Sequence, residues 1–355
     1  MQLLSIFLLS LIELIGMGNG VELTFVGDAM QHGPQIQAAA KPNGTYDYSS
    51  CFNLIEPDIE NADYAVVNLE CPLAGRPYAG YPHFSAPDEY AAQLKKSGFD
   101  LFLTSNNHCL DCGDRGLKRT IAELDKLTIP HIGTYVDEDT RDNALPFMAK
   151  VKDLNIGFLD YTFGTNGISA TGPVVVDYID RARIASDIAE LRKKSPDFIC
   201  VCVHWGIEYK SLPNKAQKDL ADFLVDNGVD LVIGSHPHVV QPMEVRYSEK
   251  YHKNVLVVYS LGNFISNQNG ADSRGGAMVK VHLTKYADIS MFIDAKYGLF
   301  FCQKPLGKGD NYKLIPANKE SLVREDSKAA FKTFMGNAES LFKQYNRAVP
   351  SFQIQ

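Results

Sequence analysis

Val229-Asp230-Leu231-Val232-Ile233-Gly234-Ser235-His236-Pro237-His238 decides the reading of this chain. The run up to Gly234 is too apolar for a half-exposed strand, so it predicts a strand buried on both faces. It ends on two imidazoles. In extended backbone, residues i and i+2 point to the same side, so His236 and His238 are expected to reach into one cavity. Pro237 stiffens the link and favours an extended His236.

The same grammar recurs outward from this stretch. Apolar runs predict strands at 21–26, 64–69, 99–104, 154–160 and 197–203 before it, and at 254–259 after it. Helical spacing of apolar residues, as in Ile121, Leu124 and Leu127, predicts helices at 88–97, 115–127, 179–194, 214–227 and 328–346. Alternating strand and helix points to an α/β fold with largely parallel pairing. From 277 to 301 the pattern changes to antiparallel strands. No repeat or low-complexity linker divides the chain, which favours one large domain. Segment 163–173, rich in Gly, Ser and Thr, is expected to be a surface loop after a strand, either a plain connection or a lip over a site.

Ligands of open α/β sheets collect beyond the carboxyl ends of strands. Five of the expected strands deliver metal-type side chains there: Asp28, Glu70, Asn107, His204, and the pair His236 and His238. Singly, each has an ordinary explanation, a helix cap for Asp28 or a satisfied polar residue for a histidine. Together, carboxylate and amide oxygens with imidazoles form the mixed set that suits Zn²⁺, Mn²⁺ or Fe ions. One carboxylate, such as Glu70, can bridge two cations, and a two-metal site of this kind activates water and clamps an oxyanion.

These residues sit in a longer series of motifs: Gly27-Asp28-Ala29-Met30, Asn68-Leu69-Glu70, Ser105-Asn106-Asn107-His108 with Asp111 and Gly113, Gly164-Thr165-Asn166-Gly167, His204-Trp205-Gly206 with Glu208-Tyr209, Gly234-Ser235-His236-Pro237-His238, and Tyr259-Ser260-Leu261-Gly262-Asn263-Phe264. The series, over residues 21–270, resembles the CapA family, which is associated with bacterial poly-γ-glutamate capsule synthesis and belongs to the calcineurin-like metallophosphatase superfamily. The resemblance implies a four-layer αββα sandwich of metallophosphoesterase type with two central mixed sheets. The domain is expected to span residues 21–300, with 301–355, outside the resemblance, as an extension packed on the same domain. The resemblance also implies two divalent transition metals (Mn, Zn or Fe). Asp28 would bind the first, Glu70 would bridge, Asn107 would bind the second, and His204, His236 and His238 would complete the set. His108 would then act as proton donor to the leaving group or steady the transition state.

Two positions depart from the superfamily pattern. Met30 stands where a metal-binding histidine is usual, which predicts a first metal held more weakly. Gln31-His32-Gly33 occupies the place where many relatives carry an arginine, leaving His32 either as a substitute substrate contact or as incidental. Glu208 is expected to orient a histidine or to act as acid or base, with an exposed turn carboxylate as the alternative. Trp205, the only tryptophan, belongs either to the core or to the pocket wall. Asn263 and Arg274 are expected substrate contacts, Arg274 for a carboxylate or phosphate, against a solvated loop arginine.

A net charge of -7 and a pI near 5.7 argue against nucleic acid as a partner. Residues 1–12 are apolar and Gly16-Met17-Gly18-Asn19-Gly20 is small, which predicts an export signal over 1–20 and a periplasmic or cell-envelope location, with a buried first element as the alternative. Seven cysteines leave at least one unpaired, and Cys200 and Cys202 are expected on one face of a buried strand. The function that follows is a metal-dependent hydrolase acting on a phosphoester or on a γ-glutamyl-type amide. The alternative is a non-catalytic accessory protein that binds a nascent anionic polymer beside a membrane synthase complex.

Overall fold

The computed structural model describes residues 20–287, 289–307 and 309–355. The expected export signal therefore lies outside the described residues, apart from Gly20. Two large sheets carry the chain. In the first, β1 (Val21–Ala29), β2 (Tyr64–Leu69), β3 (Leu101–Leu103) and β4 (His131–Ile132) run parallel in that order. In the second, β7 (Leu154–Thr162), β9 (Phe198–His204), β10 (Leu231–Ser235) and β12 (Lys253–Val258) are parallel neighbours, flanked by antiparallel β6 (Phe147–Val151) and β11 (Met243–Ser248). A two-stranded ribbon of β5 (Thr134–Tyr135) and β8 (Val175–Val176) lies apart from both.

The first sheet grows on its other side by antiparallel strands. β14 (Gly275–Tyr286) pairs β1, β15 (Ile289–Gln303) pairs β14, and β16 (Lys313–Pro316) pairs β15, while the short β13 (Asn263–Ile265) runs parallel to β1. β15 crosses residue 300 without a break, so the chain beyond that point continues the same sheet.

Alternation along the strands sets the layers. Phe25, Leu103, Phe158, Cys200, Cys202, Ile233 and Val279 join one core between the two sheets. Val26, Val67 and Phe102 face the other way, onto the first sheet's helical layer, which includes α4 (Asp88–Lys96). Leu159, Val201 and Val232 meet α7 (Arg181–Lys193) and α8 (Lys215–Asp226) on the far side. Cys200 and Cys202 do share a face, with sulfurs 4.0 Å apart. The result is helix, sheet, sheet, helix.

The long helices match their expected positions: α5 is Gly113–Lys126, and α9 (Lys328–Tyr345) presents Phe331, Phe334, Met335, Ala338 and Phe342 to the inter-sheet core. Four helices carry too few turns to leave a periodic signal: α1 (Gly33–Ala39), α2 (Ser49–Phe52), α3 (Glu56–Glu60) and α6 (Glu138–Ala144). Among the described residues, no helix is long and apolar enough to cross a membrane.

A charge ladder ties the antiparallel edge to β1. His282 pairs Glu22 at 2.9 Å and also contacts Asp294, its register neighbours on β1 and β15. These contacts, Glu22 foremost, raise the His282 pKa. A raised histidine stabilises fully below its unfolded pKa near 6.5, and the benefit is lost as pH rises through the folded value. His282→Gln should therefore lower the urea midpoint at pH 6 and leave it nearly unchanged at pH 9. The ring is a third exposed, so the loss should stay under about 1 kcal/mol. An equal loss at both pH values would show that the ladder acts through packing alone.

Candidate metal centre

The carboxyl ends of both parallel sets meet at one edge, and all six expected ligands are buried there. Gly27 permits the first approach, because a Cβ at that position would stand 1.9 Å from the Gly262 carbonyl. With β1 and the β13 entry so close, Asp28 N donates to Gly262 O at 3.0 Å. Asp28 Oδ1 accepts from Asn68 Nδ2 at 2.9 Å, and its Oδ2 lies 3.0 Å from His238 Nδ1.

Glu70 sits at the centre with neither carboxylate oxygen hydrogen-bonded and no solvent exposure. Oε1 lies 3.6 Å from His204 Nε2 and 3.7 Å from His238 Nε2. Burial, followed by the nearby Asp28, pushes its pKa well above the usual carboxylate range. Two donor triads share it: Asp28, Glu70 and His204, and Glu70, His236 and His238, with ligand atoms in each triad within 4.8 Å of one another. A buried carboxylate with no partner costs on the order of 1–3 kcal/mol, and a cation on its two oxygens would remove that cost.

Two of the candidate ligand histidines, His204 and His236, are held neutral. Burial, reinforced by neighbouring imidazoles, drives the His204 pKa well down and that of His236 to about 3. Ligation needs a free lone pair, and His236 Nδ1 is buried without a partner. His204 Nε2 lies 2.8 Å from Asn107 Oδ1, and its Nδ1 lies 2.9 Å from Ser235 Oγ. For Nε2 to ligate, the proton must sit on Nδ1, where Ser235 Oγ can accept it. Ser235→Ala should therefore weaken metal retention by about 10–100-fold in chelator competition. Unchanged retention would remove Ser235 from the site.

The His-Pro-His stretch reaches the site by a different route from the one its sequence suggests. His236 has φ 97° and His238 φ 58°, so neither is extended: both occupy the left-handed region, which side chains other than Gly rarely adopt. The strand stops at Ser235 and the chain turns. The two rings still stand 5.9 Å apart, held by Asp28, which accepts from His236 N at 3.3 Å, and by Asn263 Oδ1 at 3.1 Å from His238 Nδ1. Strain of this sort persists where the surroundings over-determine it.

The remaining expected residues separate into three places. His108 lines a cleft of about 490 Å³ above the donors, with Nδ1 fixed by Asp111 Oδ2 at 2.8 Å and its ring edge-on to Phe84 at 4.6 Å. His32 and the exposed Glu208 line the same cleft. His32 is held neutral, its pKa lowered to about 4 by burial, and its Nδ1 meets Gln35 Oε1 at 3.1 Å. Asn263 is fully buried, and its amide nitrogen donates to Ser273 O at 2.8 Å and Gln268 Oε1 at 2.9 Å, so it positions His238 from behind. Arg274 is not brought to the cleft: its guanidinium lies over the Phe301 ring at 4.8 Å. Trp205 is core, donating to Tyr259 O at 2.8 Å.

Several contributors carried no signal of their own role in the sequence. Phe163 and Asn166, from the 163–173 loop, reach the site: the Phe163 ring lies 4.4 Å from His236, and Asn166 Oδ1 accepts from Asn107 Nδ2 at 3.2 Å. That loop is a wall of the centre. Asn68 and Ser235 lie inside the motifs, but that they support the candidate ligands Asp28 and His204 is visible only in the folded chain. Met30 is buried at 2% exposure within the first sheet's outer core and also borders the cleft.

A double-sheet sandwich with converging carboxylates and imidazoles at its carboxyl edge is of metallophosphoesterase type. The chain belongs to the bacterial capsule synthesis protein PGA_cap family, whose profile matches residues 22–268. It is 29% identical over 276 residues to "Capsule biosynthesis protein CapA" of Bacillus anthracis, covering 74% of this chain and 63% of that protein. It is 29% identical over 277 residues to "PGA biosynthesis protein CapA" of Bacillus subtilis (strain 168), covering 74% of this chain and 67% of that one. Among solved structures, Haemophilus influenzae NAD nucleotidase (NadN) shares the fold at TM-score 0.51 and 13% identity, over 95% of this chain and 65% of that one.

Proposed function

We propose that this protein is a metal-dependent hydrolase of capsule-polymer metabolism, acting on a phosphoester or a γ-glutamyl-type amide and working outside the cytoplasm beside a membrane synthase complex. The observation that carries the reading is Glu70, buried with both oxygens free at the meeting point of two donor triads. Asp28, Glu70, Asn107, His204, His236 and His238 would hold a pair of divalent ions, Mn, Zn or Fe, with the Asp28 side weaker because Met30 supplies no hard donor. Such ions lower the pKa of water and polarise the bond to be cut.

The chain's own groups do the rest. Asp111 accepts from His108 Nδ1, which leaves Nε2 as the nitrogen free to give a proton to the leaving group, and the carboxylate steadies the imidazolium before transfer. Asn263 and Asp28 fix the His238 ring, and Phe163 shields His236 from water.

The test compares His108→Ala with Asp28→Ala after loading with Mn²⁺, on a phosphodiester and on a γ-glutamyl amide. His108→Ala should keep its metal and lose about 10²–10⁴ in turnover, whereas Asp28→Ala should lose both metal and turnover. If the loaded wild-type chain turns over neither substrate while still binding the polymer, the accessory, non-catalytic role replaces this one.

A further inference from the structure

We propose that Asn166 is a positioning residue of the centre: its side-chain carbonyl turns the Asn107 oxygen toward the metal, and loop 163–167 thereby sets how tightly that metal is held. The inference rests on the metal centre of the reading above and needs no turnover of any substrate.

An asparagine ligates through its oxygen alone, because the amide nitrogen carries two hydrogens and offers no lone pair. The two ends of the group have nearly the same shape, so a neighbour must decide which of them faces the metal. Asn107 is 1% exposed, and its Oδ1 points at His204 Nε2 from 2.8 Å. Its Nδ2 points away and donates to Asn166 Oδ1 at 3.2 Å. Among the described residues, no other acceptor is hydrogen-bonded to that nitrogen. Turned over, Asn107 would aim N–H at His204 Nε2 and occupy the lone pair that ligation needs. An acceptor at Asn166 holds the productive face inward. The other end of the Asn166 amide, Nδ2, stands 3.4 Å from His108 Nδ1, so one side chain adjoins both a candidate ligand and the proton donor.

The loop is built to keep that side chain in place. Thr165 O accepts from Ile168 N at 2.9 Å, and the two residues between them are both left-handed, Asn166 at φ 52° and Gly167 at φ 76°. This is the form of a type I′ turn, for which Asn-Gly is a preferred pair. Thr165 Oγ1 donates to Ile168 O at 2.6 Å and meets the Tyr178 hydroxyl at 3.0 Å. Beyond the turn, Asp114 Oδ2 accepts from Thr171 Oγ1 at 2.9 Å. At the loop's start, Phe163 N donates to His204 O at 2.9 Å, and the Phe163 ring lies against His236. One short loop is thus fastened to three of the candidate ligands.

A turn of this type explains asparagine at 166 by backbone alone, so the experiment separates the turn from the side chain. Glycine adopts the same left-handed geometry and has no carbonyl to offer. Aspartate tolerates that geometry too, and it keeps an oxygen acceptor that cannot be turned over into a donor.

The full chain as wild type, Asn166→Gly and Asn166→Asp is stripped of metal and titrated with Mn²⁺ against a fluorescent chelator, and each is unfolded in urea without metal. Asn166→Gly should bind Mn²⁺ about 10–100-fold more weakly, the usual worth of a partner that orients a ligand, with a urea midpoint close to that of wild type. Asn166→Asp should bind at least as tightly as wild type. Affinity unchanged in Asn166→Gly, or lost equally in both variants, would overturn this inference and leave the metal centre standing. A wild-type chain that binds no Mn²⁺ overturns both.

Discussion

Glu70→Met is expected to make the metal-free protein more stable, by about 1–3 kcal/mol, while abolishing its capacity to be stabilised by Mn²⁺. Both halves follow from one geometry. In the folded chain the Glu70 carboxylate has lost water and gained no hydrogen bond, and it faces Asp28. A thioether of similar volume removes that desolvation without leaving any partner unpaired, because Glu70 has none. The gain should depend on pH with a definite sign. A carboxyl whose folded pKa is raised destabilises the fold increasingly as pH climbs above its unfolded value near 4.3, so the variant's advantage should be larger at pH 7 than at pH 4. Added Mn²⁺ reverses the order: at one hundred times Kd the wild type gains about 2.7 kcal/mol and the variant gains none. Urea unfolding at two pH values, with and without metal, reads all of this. A variant less stable than the metal-free wild type at pH 7 would contradict the assignment of Glu70 as a ligand lacking its ion.

Phe334→Ala should cost about 3–5 kcal/mol, although it lies in the last helix, beyond the residues matched to the family. The ring is 1% exposed within the inter-sheet core, 6.3 Å from that of Phe301, and it fills the space over Gly275, where a Cβ would meet it at 2.7 Å. Truncation leaves a cavity that rigid strands on both sides cannot close. Lys332→Ala, on the solvent side of the same helix, should stay within about 0.5 kcal/mol. A small loss at Phe334 would mean that α9 is an appendage and not part of the core.

The strands and long helices were readable because burial imposes a period that survives in single residues. Residues 64–69 form β2 with the bounds their apolar run gives, and the ligand series at strand ends fell where sheet topology places ligands. What escaped was nonlocal or conformational. Extended geometry for His236 and His238 is the local default, and tertiary contacts from Asp28, Asn263 and Tyr209 overrode it. Arg274 looked free because its sequence neighbours are loop-like, but Phe301, distant in sequence, captures its guanidinium. Asn263 reads as a substrate contact and is in fact fully buried and spent on His238. Phe163 reads as the first residue of a surface loop, and its ring packs against the candidate ligand His236. Short helices such as α2 leave too few residues for any pattern.

The centre itself is tested most directly by anomalous diffraction from crystals of the full chain grown with Mn²⁺. The account predicts anomalous density on the Glu70 carboxylate, flanked by Asp28 on one side and by His236 on the other, with the Asp28 side the weaker. Density elsewhere on the molecule with none at Glu70 would contradict it.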